Sequence, residues 1–394
     1  MRILQINKYI TINGGSEVVM KNLYEIFSLN NFHIKNIGFH KPNQRLIDNS
    51  IDLGVENLEV QGFFVNKKLV SIIVDYILKE KIDTVICHNV YHHFPIYQLF
   101  KEIKEKCDVQ IILYLHDYKI VCPSYNLLRG SEICESCSNK SFFAATLYKC
   151  KDNSLMKSFV LTLESIYNNK IHDAYDYVDK IISPSLFLKE KVKALGFRHK
   201  IEVLHNPLDV TITSESFSKK ENSLLFVGRL SEEKGIRILL ELAKQLTQYE
   251  IKIIGDGPLK ELLVSEVNSL ENVQYYGYQE KRTIELMMKR SKYLLVPSIW
   301  YENNPMVILE AFSMGLPVIG ANRGGIPEMI VGGRGISFEP KDIDESIKVI
   351  NIMMSKSEEE YGKLSEACQS FAKENYYTAY YHKLIKILGN KNEK

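Results

Sequence analysis

The chain has 394 residues, which is too long for one ordinary hydrophobic core, so two domains are expected. Hydrophobic residues make up 45% and charged residues 25% of the sequence, a globular composition that argues against a largely disordered chain. The net charge of +2 does not indicate a nucleic-acid-binding protein. No apolar run reaches the roughly 20 residues of a membrane span, and polar residues interrupt the first strand at once. We therefore expect a cytoplasmic protein that can rest peripherally on the cytoplasmic membrane.

Short apolar runs alternate with longer helical patterns through the first half of the chain. The strands that this pattern predicts are Arg2–Asn7, Ile34–Phe39, Thr84–His88, Gln110–His116, Lys180–Pro184 and Ile201–His205. Helices are predicted between them, for example over Ser16–Asn30 and Lys67–Glu80. Continuous apolar strands joined by helical crossovers predict a parallel sheet that is covered on both faces.

The same pattern restarts after a polar stretch, Thr211–Asn222. The predicted strands are Ser223–Gly228, Glu250–Gly255, Val273–Gly277, Tyr293–Pro297 and Pro317–Ala321, and the predicted helices are Gly235–Gln248, Leu259–Leu270, Arg282–Lys289 and Glu302–Met314. A second doubly wound unit follows from this alternation. We predict an N-terminal domain over 1–205, a C-terminal domain over 206–374, and a final amphipathic helix within 375–394.

The loops that follow strands are the first places to look for a site, because open α/β sheets bind ligands beyond the carboxyl ends of their strands. Gly14 and Gly15 follow the first predicted strand and let the backbone approach a ligand closely, and Ser16 is predicted to cap the next helix. A simple turn is the alternative. The loop is not a G-x-G-x-x-G motif, so nothing here supports a nicotinamide cofactor.

Two basic side chains flank the loop after the strand Ser223–Gly228. Arg229 and Lys234 stand just before the helix that is predicted to open at Gly235. Cations beside a helix N-terminus predict a pyrophosphate site, with a solvated surface turn as the alternative. The next glycine turn, Gly255–Pro258, is more typical of a structural connection.

Two glutamates, Glu302 and Glu310, are separated by seven residues. Pro305 is predicted in the first turn of a helix, so Glu302 would lie at the positive helix end and Glu310 about two turns further, roughly 12 Å away. That separation fits one carboxylate near a sugar and one near a ribose, and an amphipathic helix with incidental acids is the alternative. The small residues of Gly324–Glu328 could let a phosphate or sugar approach closely.

Taken in order, these motifs resemble the retaining glycosyltransferases of family 4, and the resemblance runs over nearly the whole chain. The motifs that carry it are Gly14-Gly15, His116 after a strand, Gly228-Arg229 with Lys234-Gly235, Gly255-Asp256-Gly257, Glu302-x7-Glu310 and Gly324-Gly325 with Glu328. The resemblance implies the GT-B fold, in which two Rossmann-like domains face each other across a cleft and the C-terminal helix returns to the first domain. The turn Asn303–Pro305 departs from the Gly-rich turn of many relatives.

The resemblance also implies roles for individual residues. Arg229 and Lys234 would hold the donor diphosphate, Glu302 would contact the donor sugar, Glu310 the ribose hydroxyls, and His116 the transferred sugar. All of these except Glu310 form the implied catalytic set. The further donor-binding residues that it implies are Gly14, Gly15, Gly228, Tyr278, Asn303, Asn304, Pro305, Met306 and Val307. With two cations at the diphosphate, we expect no cofactor and no catalytic metal.

The implied reaction is sugar transfer from a UDP- or GDP-sugar to a hydroxyl of a glycan or lipid-linked acceptor. The implied setting is the biosynthesis of a bacterial surface polysaccharide (capsule, exopolysaccharide or lipopolysaccharide). A non-catalytic glycosyltransferase-like partner subunit, and a GT-B epimerase or phosphorylase, are the alternatives. No nucleic-acid partner is expected.

An insert over 117–153 in the first domain contains four of the seven cysteines. These are Cys122, Cys134, Cys137 and Cys150, with the spacing C-x11-C-x2-C-x12-C. The spacing is compatible with a structural zinc site, with free thiols and with redox-labile pairs. Next, an apolar stripe with nearby lysines runs over 155–167, and we predict that it is core, with a surface facing a lipid-linked acceptor as the alternative.

Overall fold

A computed structural model describes residues 1–12, 14–55, 60–209 and 220–389 of the chain. The chain divides into two compact units. The first comprises Met1–Arg129, Cys134–Pro207 and Tyr380–Lys394, and the second comprises Gly130–Ile133 and Leu208–Ala379. Most of the polar stretch Thr211–Asn222, on which the predicted domain boundary rests, lies outside the described residues, as do residues 390–394 of the tail.

The first unit is built around a parallel sheet with the strand order β3-β2-β1-β4-β5-β8-β9. Its strands are β1 (Arg2–Tyr9), β2 (His33–His40), β3 (Ser50–Val55), β4 (Thr84–Cys87), β5 (Gln110–Tyr114), β8 (Lys180–Ser183) and β9 (Ile201–Val203). Two short strands follow β5 in the chain: β6 (Leu128–Arg129), which belongs to the first unit, and β7 (Glu132–Ile133), which belongs to the second. The helices are α1 (Gly15–Leu29), α2 (Lys67–Glu80), α3 (Ile96–Lys106), α4 (Phe143–Leu147), α5 (Leu155–Ile166) and α6 (Leu186–Ala194).

The second unit repeats this architecture, with the strand order β12-β11-β10-β13-β14-β15 and parallel pairing. Its strands are β10 (Ser223–Val227), β11 (Glu250–Ile254), β12 (Val273–Tyr275), β13 (Tyr293–Val296), β14 (Val318–Ala321) and β15 (Gly335–Phe338). Its helices are α7 (Ile236–Gln245), α8 (Lys260–Val267), α9 (Lys281–Arg290), α10 (Met306–Ser313), α11 (Ile326–Ile330), α12 (Ile343–Met354) and α13 (Glu358–Asn375), and α14 (Tyr377–Leu388) ends the described chain.

The central strands have the burial that the apolar runs predict. All four residues of β4, of β13 and of β14 are buried, as expected for parallel strands covered by helices on both faces. The predicted strands are all present, most of them slightly shorter at their carboxyl ends. The sequence pattern missed β3 and β15, which are edge strands without a continuous buried run, and it also missed the two-residue strands β6 and β7.

The C-terminal helix α14 contributes to the first unit, as the resemblance implies. The Tyr380 hydroxyl lies 3.3 Å from that of Tyr114 on β5, and both side chains are buried. The Gln110 side chain donates to the carbonyl of Leu388, the last residue of α14. Among the described helices, none is both long and apolar enough to cross a membrane.

Two predicted helix starts are wrong. Helix α1 begins at Gly15 with Gly14 in the N-cap position, so Ser16 is not the cap, and its hydroxyl donates to Glu17 instead (2.7 Å). Helix α10 begins at Met306 after the N-cap residue Pro305, so residues 302–305 are not helical. Because proline has a fixed φ and lacks an N–H, it favours the start of a helix over its interior, and here it lies one residue before the first turn.

Candidate functional site: a loop cluster in the second unit and a histidine pair in the first

In the second unit, loops after several strands pack backbone against backbone at the carboxyl edge of the sheet. A Cβ atom at Gly255 would overlap the carbonyl oxygen of Gly228, and one at Gly235, where φ is +75°, would overlap that of Pro297. A Cβ atom at Gly324 (φ +63°) would overlap the backbone of Glu302. The glycines of Gly255–Pro258 and Gly324–Glu328 therefore have a packing reason, since they let neighbouring loops converge.

The core of this loop cluster is an ion pair between the partly exposed Lys234 and the buried Glu302. The Lys234 ammonium lies 2.6 Å from the Glu302 carboxylate, and the Ser298 hydroxyl donates to the same carboxylate oxygen at 2.8 Å. Burial by itself would raise the pKa of Glu302, but the charge of Lys234 and the hydrogen bonds outweigh it, so the pKa is held below its usual value. The carboxylate is therefore ionised and fixed in direction. Lys234 also lies 5.5 Å from the ring centroid of Trp300.

Arg229 stands beside this pair in sequence but in a different environment. It follows Gly228, the first residue after β10, and its side chain is exposed. Within the part of the chain that the structure describes, no hydrogen bond or ion pair involves its guanidinium. An exposed guanidinium can bind an anion bidentately, whereas the Lys234 charge is already balanced by Glu302.

Glu310 lies in the middle of α10 in surroundings that disfavour its charge. Burial, together with the charges of Asp209 and Glu285, raises its pKa to about 7, although Lys281 acts in the opposite direction. The Lys281 ammonium is held by Asp209 at 2.7 Å. Glu310 is thus poised between its charged and neutral forms near neutral pH, as is common for carboxyl groups at ligand sites.

The predicted helical spacing between the two glutamates is wrong. Because Glu302 lies in the loop before α10 and only Glu310 lies on the helix, the rise of 1.5 Å per residue does not apply between them. The residues between them sit where the helix opens: Asn304 is buried, Pro305 is the N-cap, and Met306 begins the first turn with Val307. Asn303 precedes them and is partly buried. Tyr278 is 77% exposed beyond the end of β12.

In the first unit, His116 follows β5 and pairs with a second histidine. Its Nε2 lies 3.0 Å from Nδ1 of His88, which follows the neighbouring strand β4. The His88 Nε2 lies 2.9 Å from Oε1 of Gln5, on the adjacent strand β1. Burial lowers the pKa of His116 to about 4 and that of His88 well below its usual range. Both imidazoles are therefore neutral at neutral pH.

The hydrogen-bond network assigns the protons of this pair. The Gln5 amide nitrogen donates to the Met20 carbonyl (3.0 Å) and to the Asn36 side-chain oxygen (2.8 Å), so its Oε1 is the acceptor. Neutral His88 must then carry its proton on Nε2 and accept on Nδ1. It follows that His116 carries its proton on Nε2, and that the other nitrogen of its ring, Nδ1, has the lone pair.

The glycine pair Gly14-Gly15 lies after β1 in the same unit. A Cβ atom at Gly15 would meet nothing within 4 Å, so open space surrounds this position. The neighbouring Glu17 is buried and accepts from the side chain of Asn7 at 3.0 Å. The structure therefore places an accessible backbone above a buried carboxylate, and packing alone does not require a glycine at position 15.

Sequence analysis did not single out two features of the first unit. One is His88, although it ends a predicted strand next to the strand that precedes His116, and the carboxyl ends of neighbouring parallel strands meet at one sheet edge. The other is the ion pair of Lys119 and Glu164 (2.8 Å), in which the side chains are 4% and 1% exposed. His92 lies 3.0 Å from the same carboxylate. No motif spacing signals this pair, because the contact joins distant segments.

The prediction that the apolar stripe over 155–167 belongs to the core is wrong for most of its apolar side chains. Helix α5 turns its polar residues inward, and Ser158, Thr162 and Glu164 are buried. The apolar residues of α4 and α5 that remain exposed are Phe143, Leu147, Leu155, Met156, Phe159 and Leu163. The Thr162 hydroxyl bonds to the Phe142 carbonyl (3.2 Å) and to the Thr146 hydroxyl (2.8 Å), and Glu164 binds Lys119, so polar contacts hold the inner face. We call these six exposed residues the α4–α5 apolar patch.

The two parallel sheets with helices on both faces define an α/β protein of the GT-B class. Residues 209–374 match the family described as glycosyl transferases group 1, so this segment is a domain of that family. The match covers the second unit from its first described strand to the end of α13.

Several known proteins resemble the chain over longer stretches. It is 30% identical over 211 residues to an uncharacterized 41.2 kDa protein in the cps region of Klebsiella pneumoniae. The aligned segment covers 50% of this chain and 57% of that protein. It is 29% identical over 204 residues to the lipopolysaccharide 1,6-galactosyltransferase of Salmonella typhimurium, covering 48% and 56% respectively. The chain thus spans little more than half the length of these curated relatives. The structure of Anabaena HepE in complex with UDP-glucose is similar in fold, with a TM-score of 0.67 at 16% identity over 98% of this chain and 99% of that one.

Proposed function

We propose that this protein is a retaining glycosyltransferase that transfers a sugar from a UDP- or GDP-sugar to a hydroxyl of a glycan or lipid-linked acceptor. The observation that carries the proposal is the loop cluster of the second unit, where the exposed guanidinium of Arg229 accompanies the Lys234–Glu302 pair. The relatives support a role in bacterial surface polysaccharide assembly, since one lies in a cps region and another acts on lipopolysaccharide. The UDP-glucose bound by HepE makes UDP the first nucleotide to test.

In this proposal the chain's own residues stabilise the departing diphosphate. Glycosyl transfer passes through an oxocarbenium-like transition state while negative charge grows on the leaving group. Arg229 would bind that charge bidentately, and the amides at the start of α7 would add the positive end of a helix dipole. Lys234 has three donors, so it can keep Glu302 in place and still face the diphosphate. These groups would stabilise the negative charge that a catalytic metal would otherwise stabilise, and on that basis we propose a metal-independent reaction.

The remaining site residues enter the proposal in the roles that the family resemblance implies. Glu302, held by Lys234 and Ser298, would accept hydrogen bonds from the donor sugar. Glu310 would contact the ribose, and His116 the transferred sugar. The backbone of Asn303–Val307 and of Gly14-Gly15 would approach the sugar and the phosphate. Tyr278 would lie near the base.

Replacing Arg229 with alanine tests the diphosphate assignment. Loss of a charge-assisted contact made to the leaving group should cost about 2–4 kcal/mol of transition-state stabilisation, a 30- to 1,000-fold loss of turnover. The measurement is release of UDP or GDP from the sugar donor, with acceptor-bearing membranes present. The matched control is Arg237→Ala at the second residue of α7, where the arginine is exposed and pairs with Glu232. Turnover by Arg229→Ala within twofold of wild type would refute the assignment.

We also propose that the α4–α5 apolar patch rests on an anionic lipid surface. Several exposed apolar side chains on two helices that pack together, such as Leu147 (73% exposed) and Met156 (72% exposed), are typical of interaction surfaces. The exposed Lys149 and Lys157 lie next to these residues in the sequence, with Lys157 paired to Asp152 (2.8 Å), and basic side chains next to apolar ones favour anionic headgroups. Peripheral binding of this kind would bring the protein to a lipid-linked acceptor.

Vesicle co-sedimentation tests this surface. Wild type should bind vesicles that contain phosphatidylglycerol more strongly than pure phosphatidylcholine vesicles. The double variant Leu147→Glu/Met156→Glu should reduce the bound fraction about tenfold or more, since two apolar side chains no longer leave water. Leu78→Glu is the control, because Leu78 is 52% exposed on α2 in the same unit. Equal binding by the double variant and wild type would contradict the proposal, as would binding by neither.

A further inference from the structure

The cysteine-rich insert of the first unit folds so that its four cysteines line one small cavity. The backbone amide of Cys122 donates to the Tyr118 carbonyl (2.8 Å), and the backbone amide of Cys134 donates to the Leu127 carbonyl (2.8 Å). The amide of Cys150 donates to the Ala145 carbonyl at 3.0 Å. The remaining residues that line the cavity are Cys137, Ser124, Leu127, Leu128, Ala144, Ala145 and Tyr148. Residues separated by as many as 28 positions thus meet at one point.

The chemistry of this cavity is that of a soft-metal site. Its wall offers four thiols and contains neither a carboxylate nor an imidazole. A set of four sulfur donors favours Zn²⁺ over Mg²⁺ or Ca²⁺, which prefer oxygen. Cys122 and Cys137 are buried, whereas Cys134 and Cys150 are partly exposed, so an ion could enter from the surface. All seven cysteines of the chain are free, so no disulfide competes for these thiols.

The thiols stand farther apart than they would around a bound ion. In the described part of the chain, no three of them have sulfur atoms within 4.8 Å of one another. Tetrahedral coordination with Zn–S bonds of about 2.3 Å places sulfurs about 3.8 Å apart. Metal binding would therefore draw the four loops together rather than fit an already closed cage.

The backbone of the insert supplies a reason for such a clamp. Of the twelve non-glycine residues with positive φ that the structure describes, seven lie within 125–153, including Tyr125, Leu127 and Lys149. Left-handed backbone conformations are unfavourable for the four of these that are neither asparagine nor aspartate, namely Tyr125, Leu127, Lys140 and Lys149. One buried apolar cluster of the segment consists of Cys137, Phe142 and Ala145 with a few partly buried neighbours. A cross-link between the four cysteines would offset the cost of ordering this segment.

We propose that Cys122, Cys134, Cys137 and Cys150 bind one structural Zn²⁺ ion through four thiolates, releasing their thiol protons to solvent. With all four positions filled by protein, the ion has no open site for substrate and holds the fold without reacting. It would fix α4, which lies between Cys137 and Cys150 and bears Phe143 and Leu147 of the apolar patch. The proposal does not depend on the proposed transferase activity.

Metal analysis of the full-length protein, purified without added metal, tests the site. We expect about one zinc per chain in wild type and less than about 0.2 in Cys134→Ser, which removes a partly exposed ligand. The control is Cys107→Ser, a buried cysteine outside the cluster, which should keep its zinc. Less than about 0.2 zinc per wild-type chain would overturn the proposal. Unchanged zinc in Cys134→Ser would overturn the assigned ligand set.

Cobalt substitution of the wild-type protein keeps the test independent of how well the variants fold. Protein stripped with a chelator and reloaded with Co²⁺ should show the intense sulfur-to-metal charge-transfer absorption of a tetrahedral thiolate site. The melting temperature of the stripped, metal-free protein should rise on addition of zinc, because a ligand that binds only the folded state stabilises that state. A spectrum without that absorption would contradict the site, as would a mass showing a disulfide between any two of the four cysteines.

Discussion

At the scale of single residues, the structure shows how neighbours set the charge of each candidate functional group. Glu302 is ionised because Lys234 and Ser298 hold it, whereas Glu310 has its pKa raised to about 7 mainly by burial. His116 is kept neutral by burial, and its tautomer is fixed through His88. The residue types were visible in the sequence, but these charge states depend on contacts with residues far away in the chain.

The raised pKa of Glu310 predicts how stability varies with pH. Between the ordinary glutamate pKa near 4.3 and about 7, the unfolded chain has lost this proton while the folded protein retains it. Stability conferred by the neutral carboxyl is therefore complete below that window and is lost as the pH rises through it. Glu310→Gln, which stays neutral, should be about 1–3 kcal/mol more stable than wild type at pH 8 and nearly equal at pH 4.5.

Urea unfolding of both proteins at the two pH values checks this expectation. Glu261→Gln on α8, where the glutamate is exposed, serves as the control. The difference in unfolding free energy between this variant and wild type should be about the same at both pH values. If the stability difference between Glu310→Gln and wild type were the same at both pH values, the raised pKa would be contradicted.

At the scale of elements, strands were the most predictable part of the fold. Parallel strands covered on both faces need unbroken apolar runs, and β4, β13 and β14 have them. The edge strand β3 has no such run and could not be found in this way. The helix boundary at α10 was misplaced because Asn303–Pro305 form the loop that positions Glu302. Helix α5 shows a different limit, since periodicity reveals an apolar stripe but not which side faces water.

The sequence analysis interpreted Gly324–Glu328 as a place where a ligand could approach closely and Gly255–Pro258 as a structural connection, and the structure shows that loop packing requires glycines in both turns. Gly235→Ala should destabilise the protein by at least about 2 kcal/mol, because a Cβ atom would collide with the Pro297 carbonyl and φ is +75°. Gly277→Ala is the matched control, since φ is +67° but nothing lies within 4 Å of the added Cβ. It should cost only about 1 kcal/mol, the price of the backbone conformation.

Denaturant unfolding of these two variants gives the comparison. A similar cost for both substitutions would show that the contact between the loops at Gly235 and Pro297 does not constrain the site.

At the scale of the whole molecule, the sequence was sufficient for the two doubly wound units and for the family of residues 209–374. The order of the motifs along the chain, rather than any one of them, carried that information. The sequence could not reveal which side chains share a hydrogen bond across the sheet, as His116 and His88 do. Nor could spacing alone decide whether the four cysteines meet, and the structure brings them to one cavity.

The central claim is that the loop cluster around Arg229 and the Lys234–Glu302 pair binds a nucleoside diphosphate. Isothermal titration calorimetry with UDP, GDP and ADP, each with and without Mg²⁺, tests it most directly. We predict that UDP or GDP binds with a micromolar dissociation constant in the absence of Mg²⁺, and that Arg229→Ala weakens that binding while Arg237→Ala does not. Failure of all three nucleotides to bind would contradict the claim, and binding only in the presence of Mg²⁺ would contradict the metal-independent account.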